Sequence, residues 1–466
     1  MTLKNKYTIF YIIFWPFVII SAFILLSNHY YSPDEGIVLN AAWQLWHGKE
    51  MYTDFIEYIT PGSTYFAYWL WVLSHSTSYA IVKIFSIFFW LISAVGVFLI
   101  SKKINNKNYL HVFAVFFWLL LSRYYTLINH NYYSSFLAVW LVYFFLVSLE
   151  KQKKYLFFIT GIMAGGVFLF LQTKGLMLFA IALLIIIFFL KAKNKLMSGF
   201  FLGIGFLSIT LPLLLFWPAK TLWHSLFLFP WQTQYMNYSV CSPIIVALGV
   251  LIILLMLILA RQKKQGILWW LLFFQVGLYL SVFNSFERSH LMINSFIFCI
   301  FLGSLLENIF NHLKFNHILR YYVLIQLLLV GLAVSLAFIP FHKNNNIYTL
   351  DLFHLTRRSV IDIAEIQKAK YIYAGPYLPN FYYELGKENP FPISVAFLCD
   401  ENCENKVIEK IKEVEPEFAL LNYQSAGHFK YNNNSRINSY FTNNYRICYK
   451  YQKVTIYAKD QCPKRE

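Results

Sequence analysis

Long runs of apolar residues, each long enough to cross a bilayer, recur along residues 1–340. A transmembrane helix needs about 20 such residues, with a range of roughly 17–25. The pattern predicts eleven spans, at about 8–27, 77–101, 109–127, 134–149, 155–172, 174–190, 197–217, 242–260, 267–283, 290–306 and 321–340. The first run is flanked by Lys4 and Lys6 and lacks a small-residue cleavage site. We therefore interpret it as a retained helix rather than a cleaved signal peptide.

The pattern changes after residue 340, where short apolar segments alternate with polar ones. Two helices are predicted, near 352–367 and at Glu404–Val414. The candidate strands, of which the last two suit a hairpin, are Tyr371–Ala374, Phe391–Phe397, Phe418–Asn422, Tyr445–Tyr449 and Val454–Ala458. The chain is therefore expected to be a polytopic α-helical membrane domain, 1–340, followed by a small soluble α/β domain, 341–466.

Composition supports a membrane protein. Apolar residues make up 58% of the chain and charged residues 13%, against about 25% charged in a soluble domain. These values exclude an ordinary soluble enzyme, a disordered protein and a disulfide-scaffold toxin. A net charge of +17 is also typical of proteins that bind nucleic acid. Most basic residues of 1–340, however, lie in short loops between apolar runs, so the expected partner is the lipid bilayer and not nucleic acid.

The basic residues also predict an orientation. Of the 22 Lys and Arg in 1–340, 16 lie before the first span or in every second loop, and such loops face the cytoplasm. The opposite loops and everything after residue 340 then lie outside, which in a bacterial inner membrane is the periplasm. The cytoplasmic loops are short and carry no G-x-x-x-x-G-K-[ST] or G-x-G-x-x-G motif in a strand–helix context. An ATP-driven machine is therefore not expected.

Most acidic residues of the membrane part fall in one outer loop, residues 28–62. Carboxylates near the hydrocarbon are costly and usually functional. Those in this loop are Asp34, Glu35, Glu50, Asp54 and Glu57. The loop also predicts an amphipathic helix after Pro33, and a second juxtamembrane helix between Ser63 and His75. A capping box with Ser32 and Glu35 is the alternative to a chemical role; at Asp34 the helix dipole would favour the ionised carboxylate.

At these residues the sequence resembles the GT-C glycosyltransferases that use polyprenyl-phosphate sugars. The features that carry the resemblance are a first span, an outer Asp-Glu pair, an amphipathic helix, Gly48-x-x-x-Tyr52, and a helix led by Pro61. The protein O-mannosyltransferases and the lipid A aminoarabinose transferase are the members most similar to it. The resemblance implies that Asp34 is the catalytic carboxylate, with Glu35 beside it.

The resemblance also suggests which cations hold the donor phosphate. Gln172-Thr173-Lys174-Gly175 is similar to a Thr-Lys-Gly sequence of the family, so Lys174 is the first candidate; a snorkelling interface lysine is the alternative. The aminoarabinose transferase has a Lys where this chain has Thr60. The phosphate contact must then come from elsewhere, and the candidates are Lys174, Lys83, Arg123 and Arg288.

Other polar residues of the outer loops are candidates for substrate binding, namely Glu57, Tyr58, His130 and His290. No His, Asp or Glu cluster has metal-ligand spacing within one segment, and a divalent cation held between separate loops stays an open alternative. Four cysteines after residue 340 allow three disulfide pairings. Cys399–Cys403 is the first choice and a zinc site is the runner-up.

The function expected from these features is an inverting glycosyltransferase. It would move a sugar from a polyprenyl phosphate to a lipid, glycan or protein acceptor outside the membrane. A transporter, either a flippase for lipid-linked sugars or an exporter of envelope glycan, is the alternative. Transporters usually carry internal repeats and polar sites at the bilayer midplane. This sequence shows no repeat, and its ionisable residues cluster in outer loops.

Overall fold

The structure is a computed structural model of the 466-residue chain. It describes residues 3–27, 33–104, 108–122, 127–232, 243–263, 266–282, 288–312, 326, 364–393, 396, 399, 401–422, 435–451 and 454–462. The chain forms two compact units. Unit 1 contains residues 1–29, 79–213 and 241–342; unit 2 contains residues 30–78, 214–240 and 343–466. The first outer loop thus belongs to the same unit as the C-terminal segment, and the predicted division at residue 340 stays a prediction.

The secondary structure of the described residues is mainly helical. In chain order the helices are α1 (Leu3–Ser27), α2 (Pro33–Trp46), α3 (Gly62–Ser74), α4 (Tyr79–Ile104), α5 (Asn108–Ser122), α6 (His130–Lys151), α7 (Lys154–Phe170), α8 (Gln172–Phe189), α9 (Ala192–Thr210), α10 (Leu213–Phe216), α11 (Ala219–Trp223), α12 (Pro243–Lys263), α13 (Gly266–Leu280), α14 (Arg288–Ile293), α15 (Phe296–His312), α16 (Ala364–Lys368), α17 (Asn380–Glu384), α18 (Glu401–Val414) and α19 (Arg436–Asn444). A π-helical turn follows α11 at His224–Leu228. The strands are β1 (Ile372–Gly375), β2 (Phe418–Leu421), β3 (Arg446–Tyr451) and β4 (Val454–Ala458).

The helices of unit 1 are those expected of a membrane protein. Within the described residues, five are long and apolar enough to cross a bilayer, at Tyr79–Ile104, His130–Lys151, Gln172–Phe189, Asn194–Phe216 and Pro243–Arg261. Shorter apolar helices lie at Phe14–Leu26, His111–Ser122, Lys154–Phe170, Gly266–Leu280 and Phe296–Leu306. Each of the first ten predicted spans overlaps one of these helices, but the tenth, 290–306, is divided into α14 and α15 at Asn294 and Ser295. The eleventh, 321–340, lies outside the described residues, so the count of eleven stays a prediction.

Side-chain contacts at the two ends of α6 test the alternation of the loops. Near its C-terminal end, Lys103 forms an ion pair with Glu150, and Asn194 Nδ2 donates to Gln152 Oε1 at 3.3 Å. These contacts join three of the basic loops. Near its N-terminal end, Asn131 contacts residues of α8 and α14. The helix has 22 residues and so is about 33 Å long. The prediction that alternate loops share one end of the bundle is confirmed for these segments.

The face on which these ends lie can be tested by cysteine labelling. Asp54 and Lys153 are both exposed, and the positive-inside rule assigns them to opposite sides. Asp54→Cys should react with a membrane-impermeant maleimide in intact cells, and Lys153→Cys only after permeabilisation. Labelling of Lys153→Cys from outside would reverse the orientation.

Unit 2 is built around a four-stranded sheet with the order β1-β2-β4-β3. β1 runs parallel to β2, β4 runs antiparallel to β2, and β3 and β4 form the expected hairpin. Its hydrophobic core includes Ile37 from the first outer loop and Phe229 from the segment after α11, together with residues of the sheet such as Leu420. All three chain segments of the unit therefore contribute to one core.

Most of the elements predicted after residue 340 are present in the structure. The strands at 371–374, 418–422, 445–449 and 454–458 are confirmed to within about two residues. The strand predicted at Phe391–Phe397 is wrong for its described residues: Pro392 cannot donate to a ladder, and its carbonyl instead accepts from Ile56 N at 2.6 Å. The helix at Glu404–Val414 begins earlier, at Glu401. Of the helix near 352–367, residues 352–363 lie outside the described residues.

The disulfide expectation is also confirmed. Cys399 pairs with Cys403, and Cys448 pairs with Cys462. The second bond ties β3 to the residues that follow β4 and so closes the end of the hairpin. Both bonds suit an oxidising compartment.

Candidate active site

The first candidate residue, Asp34, lies in the first turn of α2 and is partly exposed. The hydroxyl group of Tyr377, which is 343 residues away in sequence, donates to Asp34 Oδ1. A carboxylate in the first turn of a helix is stabilised by the helix dipole, and the tyrosine donor adds to that. Asp34 is thus held in one orientation, with part of its surface open to solvent.

The position of Tyr377 is fixed by a buried asparagine at the end of β2. Tyr377 N donates to Asn422 Oδ1 at 3.1 Å, and Asn422 Nδ2 donates to Tyr377 O at 3.0 Å. Gly36 allows the next part of this segment to approach α2, because a Cβ there would lie 2.7 Å from the Cβ of Asn380. The end of the sheet therefore determines where the phenol group meets the carboxylate.

Glu35 differs from its neighbour because it is fully buried. This burial fits a structural role at the start of α2 better than contact with a substrate. Ser32, the predicted N-cap, lies outside the described residues.

Glu57 and Tyr58 follow α2 in the same outer loop. Glu57 is only 3% exposed, and burial raises the pKa of its carboxyl group to about 8, although a hydrogen bond from Tyr58 N opposes the shift. The side chain of Tyr58 packs against the core of unit 2. Near neutral pH Glu57 is therefore largely protonated.

The raised pKa of Glu57 predicts how stability depends on pH. In the unfolded chain the carboxyl group ionises above about pH 4.5, whereas in the folded protein it stays protonated up to about pH 8. Stability should therefore fall as pH rises between these values, by on the order of a few kcal/mol, and level off above pH 8. Glu57→Gln should remove this component. Thermal unfolding in detergent from pH 5 to 9 measures it, and parallel curves for the two proteins would contradict it.

The second group of candidates surrounds Lys174, in the first turn of α8. Lys174 is fully buried; its ammonium group donates to Asn131 O at 3.0 Å and to Ser135 Oγ at 2.8 Å. Gly175 lets the start of α8 approach the backbone of Phe168. An exposed snorkelling position, the alternative considered above, does not agree with this burial.

The electrostatics of Lys174 are unusual. Both of its acceptors are neutral, and no carboxylate in the described part of the chain forms an ion pair with it. The positive end of the α8 dipole also disfavours a cation in the first turn. A buried charge without a partner is strongly destabilising, and a bound anion would remove both costs.

Two histidines lie in the same cluster. Asn131 Nδ2 lies 3.0 Å from His130 Nε2 and 3.2 Å from His290 Nε2. The amide group of Asn131 therefore lies within hydrogen-bonding distance of both imidazole rings. Asn129 caps α6 by accepting from Asn131 N at 2.7 Å. The structure thus brings Lys174, His130 and His290 together around Asn131.

No family model and no curated protein matches the chain. The crystal structure of ArnT from Cupriavidus metallidurans in the apo state aligns with a TM-score of 0.61 and 11% identity, over 97% of this chain and 98% of that one. The chain has the GT-C fold.

Two further structures with the GT-C fold come from the Archaeoglobus fulgidus oligosaccharyltransferase. One is the apo form and the other is tethered to an acceptor peptide containing the NVT sequon. Both align with a TM-score of 0.50, at 10% and 11% identity, over 97% of this chain and 75% and 74% of theirs. At such identities the likeness establishes the fold, and the chemistry must be argued from the residues.

The remaining phosphate candidates are placed as follows. Lys83 is buried in α4, with Nζ 5.7 Å from the ring centroid of Tyr79. Arg288 is the first residue of α14, two positions before His290. Arg123 lies outside the described residues. Among the described residues, no group of three or more His, Cys, Asp or Glu could hold a metal ion.

Four polar residues of the two clusters were missed from the sequence: Tyr377, Asn422, Ser135, and Asn294, whose Oδ1 lies 3.1 Å from Ser135 Oγ. Asn294 had a signal, since with Ser295 it interrupts an apolar run that the structure breaks into α14 and α15. Ser135 had none, because a serine in an apolar helix commonly bonds to its own backbone.

Proposed function

We propose that this protein is an inverting glycosyltransferase that uses a sugar linked to a polyprenyl phosphate. The observation that carries the proposal is the burial of Lys174 among neutral acceptors in a chain with the GT-C fold. This arrangement suits an anionic ligand. A lipid phosphate is such an anion: it can enter a site among membrane helices from the bilayer, and a protein that uses it as donor needs no nucleotide-binding domain.

The proposed reaction is a single displacement at the anomeric carbon. Asp34 accepts the proton of the acceptor hydroxyl group as its oxygen attacks that carbon. The bond from the anomeric carbon to the phosphate oxygen breaks, and polyprenyl phosphate leaves with the electron pair. Tyr377, which donates to Asp34, keeps the carboxylate oriented. Lys174 stabilises the negative charge that the phosphate gains, and Arg288 is a second candidate for that role.

The partners proposed are therefore a polyprenyl-phosphate-linked sugar and a lipid, glycan or protein acceptor. The solved structures support this range, since one is named for ArnT and another carries an acceptor peptide. In the topology predicted from the basic loops, transfer takes place on the outer face of the membrane.

The test is transfer by purified protein in detergent or liposomes. Radiolabelled polyprenyl-phosphate sugars are supplied together with extracts of cell envelope, and label is followed into lipid, glycan and protein fractions. Transfer to any fraction that is lost in Asp34→Asn supports the proposal. Movement of the labelled lipid between leaflets with no transfer would instead support a transporter. The feature that favours a transporter is the helix break at Asn294–Ser295, because transporters often use broken helices.

A further inference from the structure

Two adjacent serines of α6, Ser134 and Ser135, are alike in burial and in one hydrogen-bonding partner but differ in their other contacts. Both are fully buried, and the Oγ atoms of both lie within hydrogen-bonding distance of Asn131 O, at 2.9 and 2.8 Å. Only Ser135 also reaches Lys174 Nζ, at 2.8 Å, and Asn294 Oδ1, at 3.1 Å. Substitution of each serine in turn therefore distinguishes the effect of the contact with the ammonium group from the effect of a hydrogen bond within α6.

The direction of these hydrogen bonds is set by chemistry. An ammonium group can only donate, so Ser135 Oγ accepts from Lys174 and must direct its single proton to Asn131 O or Asn294 Oδ1. The side chain of Asn294 is oriented in turn, because its Nδ2 donates to His290 O at 2.9 Å. Gln275 Nε2 donates to the backbone oxygen of Asn294 at 2.8 Å and supports the helix break. Because the serine proton points to Asn131 O or to Asn294 Oδ1, a lone pair of Ser135 Oγ is directed to the ammonium group.

The ammonium group of Lys174 has three N–H donors. Asn131 O and Ser135 Oγ engage two of them, and the third has no acceptor among the residues that the structure describes. Because both acceptors are neutral, neither compensates the charge of the ammonium group, and an anionic ligand on the third donor would do so.

We propose that Ser135 is a positioning residue that directs the third N–H of Lys174 toward the phosphate of the lipid-linked donor. Asn294, at the break between α14 and α15, orients Ser135 for this purpose. The inference rests on the proposed function, because it concerns the same phosphate. The inference adds a reason why the site would prefer an anionic ligand: the oxygen atoms that accept from Lys174 are neutral and do not compensate its charge.

The first experiment compares Ser135→Ala with Ser134→Ala. Kinetics of sugar transfer and direct binding of polyprenyl phosphate are measured for both variants in the same detergent. Ser135→Ala should weaken binding of polyprenyl phosphate and raise KM for the donor by roughly 10-fold, the size expected for one hydrogen bond to a charged group. Ser134→Ala should stay within about 2-fold of the parent. Equal effects of the two substitutions, or none from either, would overturn the assignment.

Asn294→Asp provides a second measurement that a structural role would not predict. The substitution nearly preserves shape but places a carboxylate next to Ser135, where it would compensate the charge of Lys174 from inside the protein. Binding of polyprenyl phosphate should fall by at least 10-fold, and more than in Asn294→Ala. Equal losses in the two variants would mean that Asn294 acts only in packing.

Measurements on the wild-type protein distinguish failure of the proposed function from failure of the role proposed for Ser135. If it neither binds polyprenyl phosphate nor transfers sugar, the proposed function fails and this inference fails with it. If it does both while Ser135→Ala and Ser134→Ala behave alike, only the role of Ser135 is overturned.

Discussion

Asp34→Asn is expected to lower kcat by roughly 10²–10⁴-fold, the usual contribution of a general base. Asparagine has the shape of aspartate and keeps an oxygen that can accept from the hydroxyl group of Tyr377, so the fold should be retained. It cannot accept the proton of the acceptor hydroxyl group. The measurement is kcat for sugar transfer at saturating donor, together with binding of polyprenyl phosphate, which should change little.

Glu35→Gln is the matched control for this substitution. Glu35 is the next residue of the same helical turn but is fully buried, and an amide can keep its hydrogen bonds in part. Its loss of kcat should be much smaller than that of Asp34→Asn. Turnover of Asp34→Asn equal to that of the parent would remove Asp34 from the catalytic role, and a larger loss in Glu35→Gln would move the role to that residue.

Lys174→Met should separate activity from stability. The substitution removes a buried charge that has only neutral partners in the described structure, and replacing such a charge by an apolar side chain is often neutral or stabilising. The same change removes the contact proposed for the phosphate, and kcat/KM should fall by roughly 10²–10³-fold. The thermal midpoint should therefore stay level or rise while transfer is lost.

Lys83→Met is the comparison for this prediction, because Lys83 is also a buried lysine of unit 1. Loss of donor binding in Lys83→Met, with Lys174→Met active, would assign the phosphate contact to Lys83. A lower thermal midpoint for Lys174→Met would show that the lysine is needed for the fold.

The membrane helices could be predicted from the sequence because their cause is local. The length of an apolar run and the charges at its ends decide whether it crosses a bilayer. For the same reason the start of α2 at Pro33 could be predicted. Asp34 and Lys174 were found through resemblance, but the burial of Lys174 was not foreseen, since an interfacial lysine has the same local sequence.

The missed contacts depend on residues that are far apart in the chain. No local pattern indicates that Tyr377 reaches Asp34, or that Ile56 pairs with the segment around Pro392. A strand was predicted at Phe391–Phe397, but Pro392 lies where a ladder needs an N–H donor. Local propensity was overridden there by docking of the outer loop.

The core shared by the three segments of unit 2 has a consequence for biogenesis. Leu420 and Ile456 belong to the same core as Ile37, but they are synthesised more than 380 residues after it. At the usual pace of about 5–20 residues per second, the loop that carries Asp34 waits tens of seconds for the strands that complete its core. During that interval its apolar side chains are open to chaperones and proteases, and the enzyme proposed here would gain activity only after these strands have been synthesised.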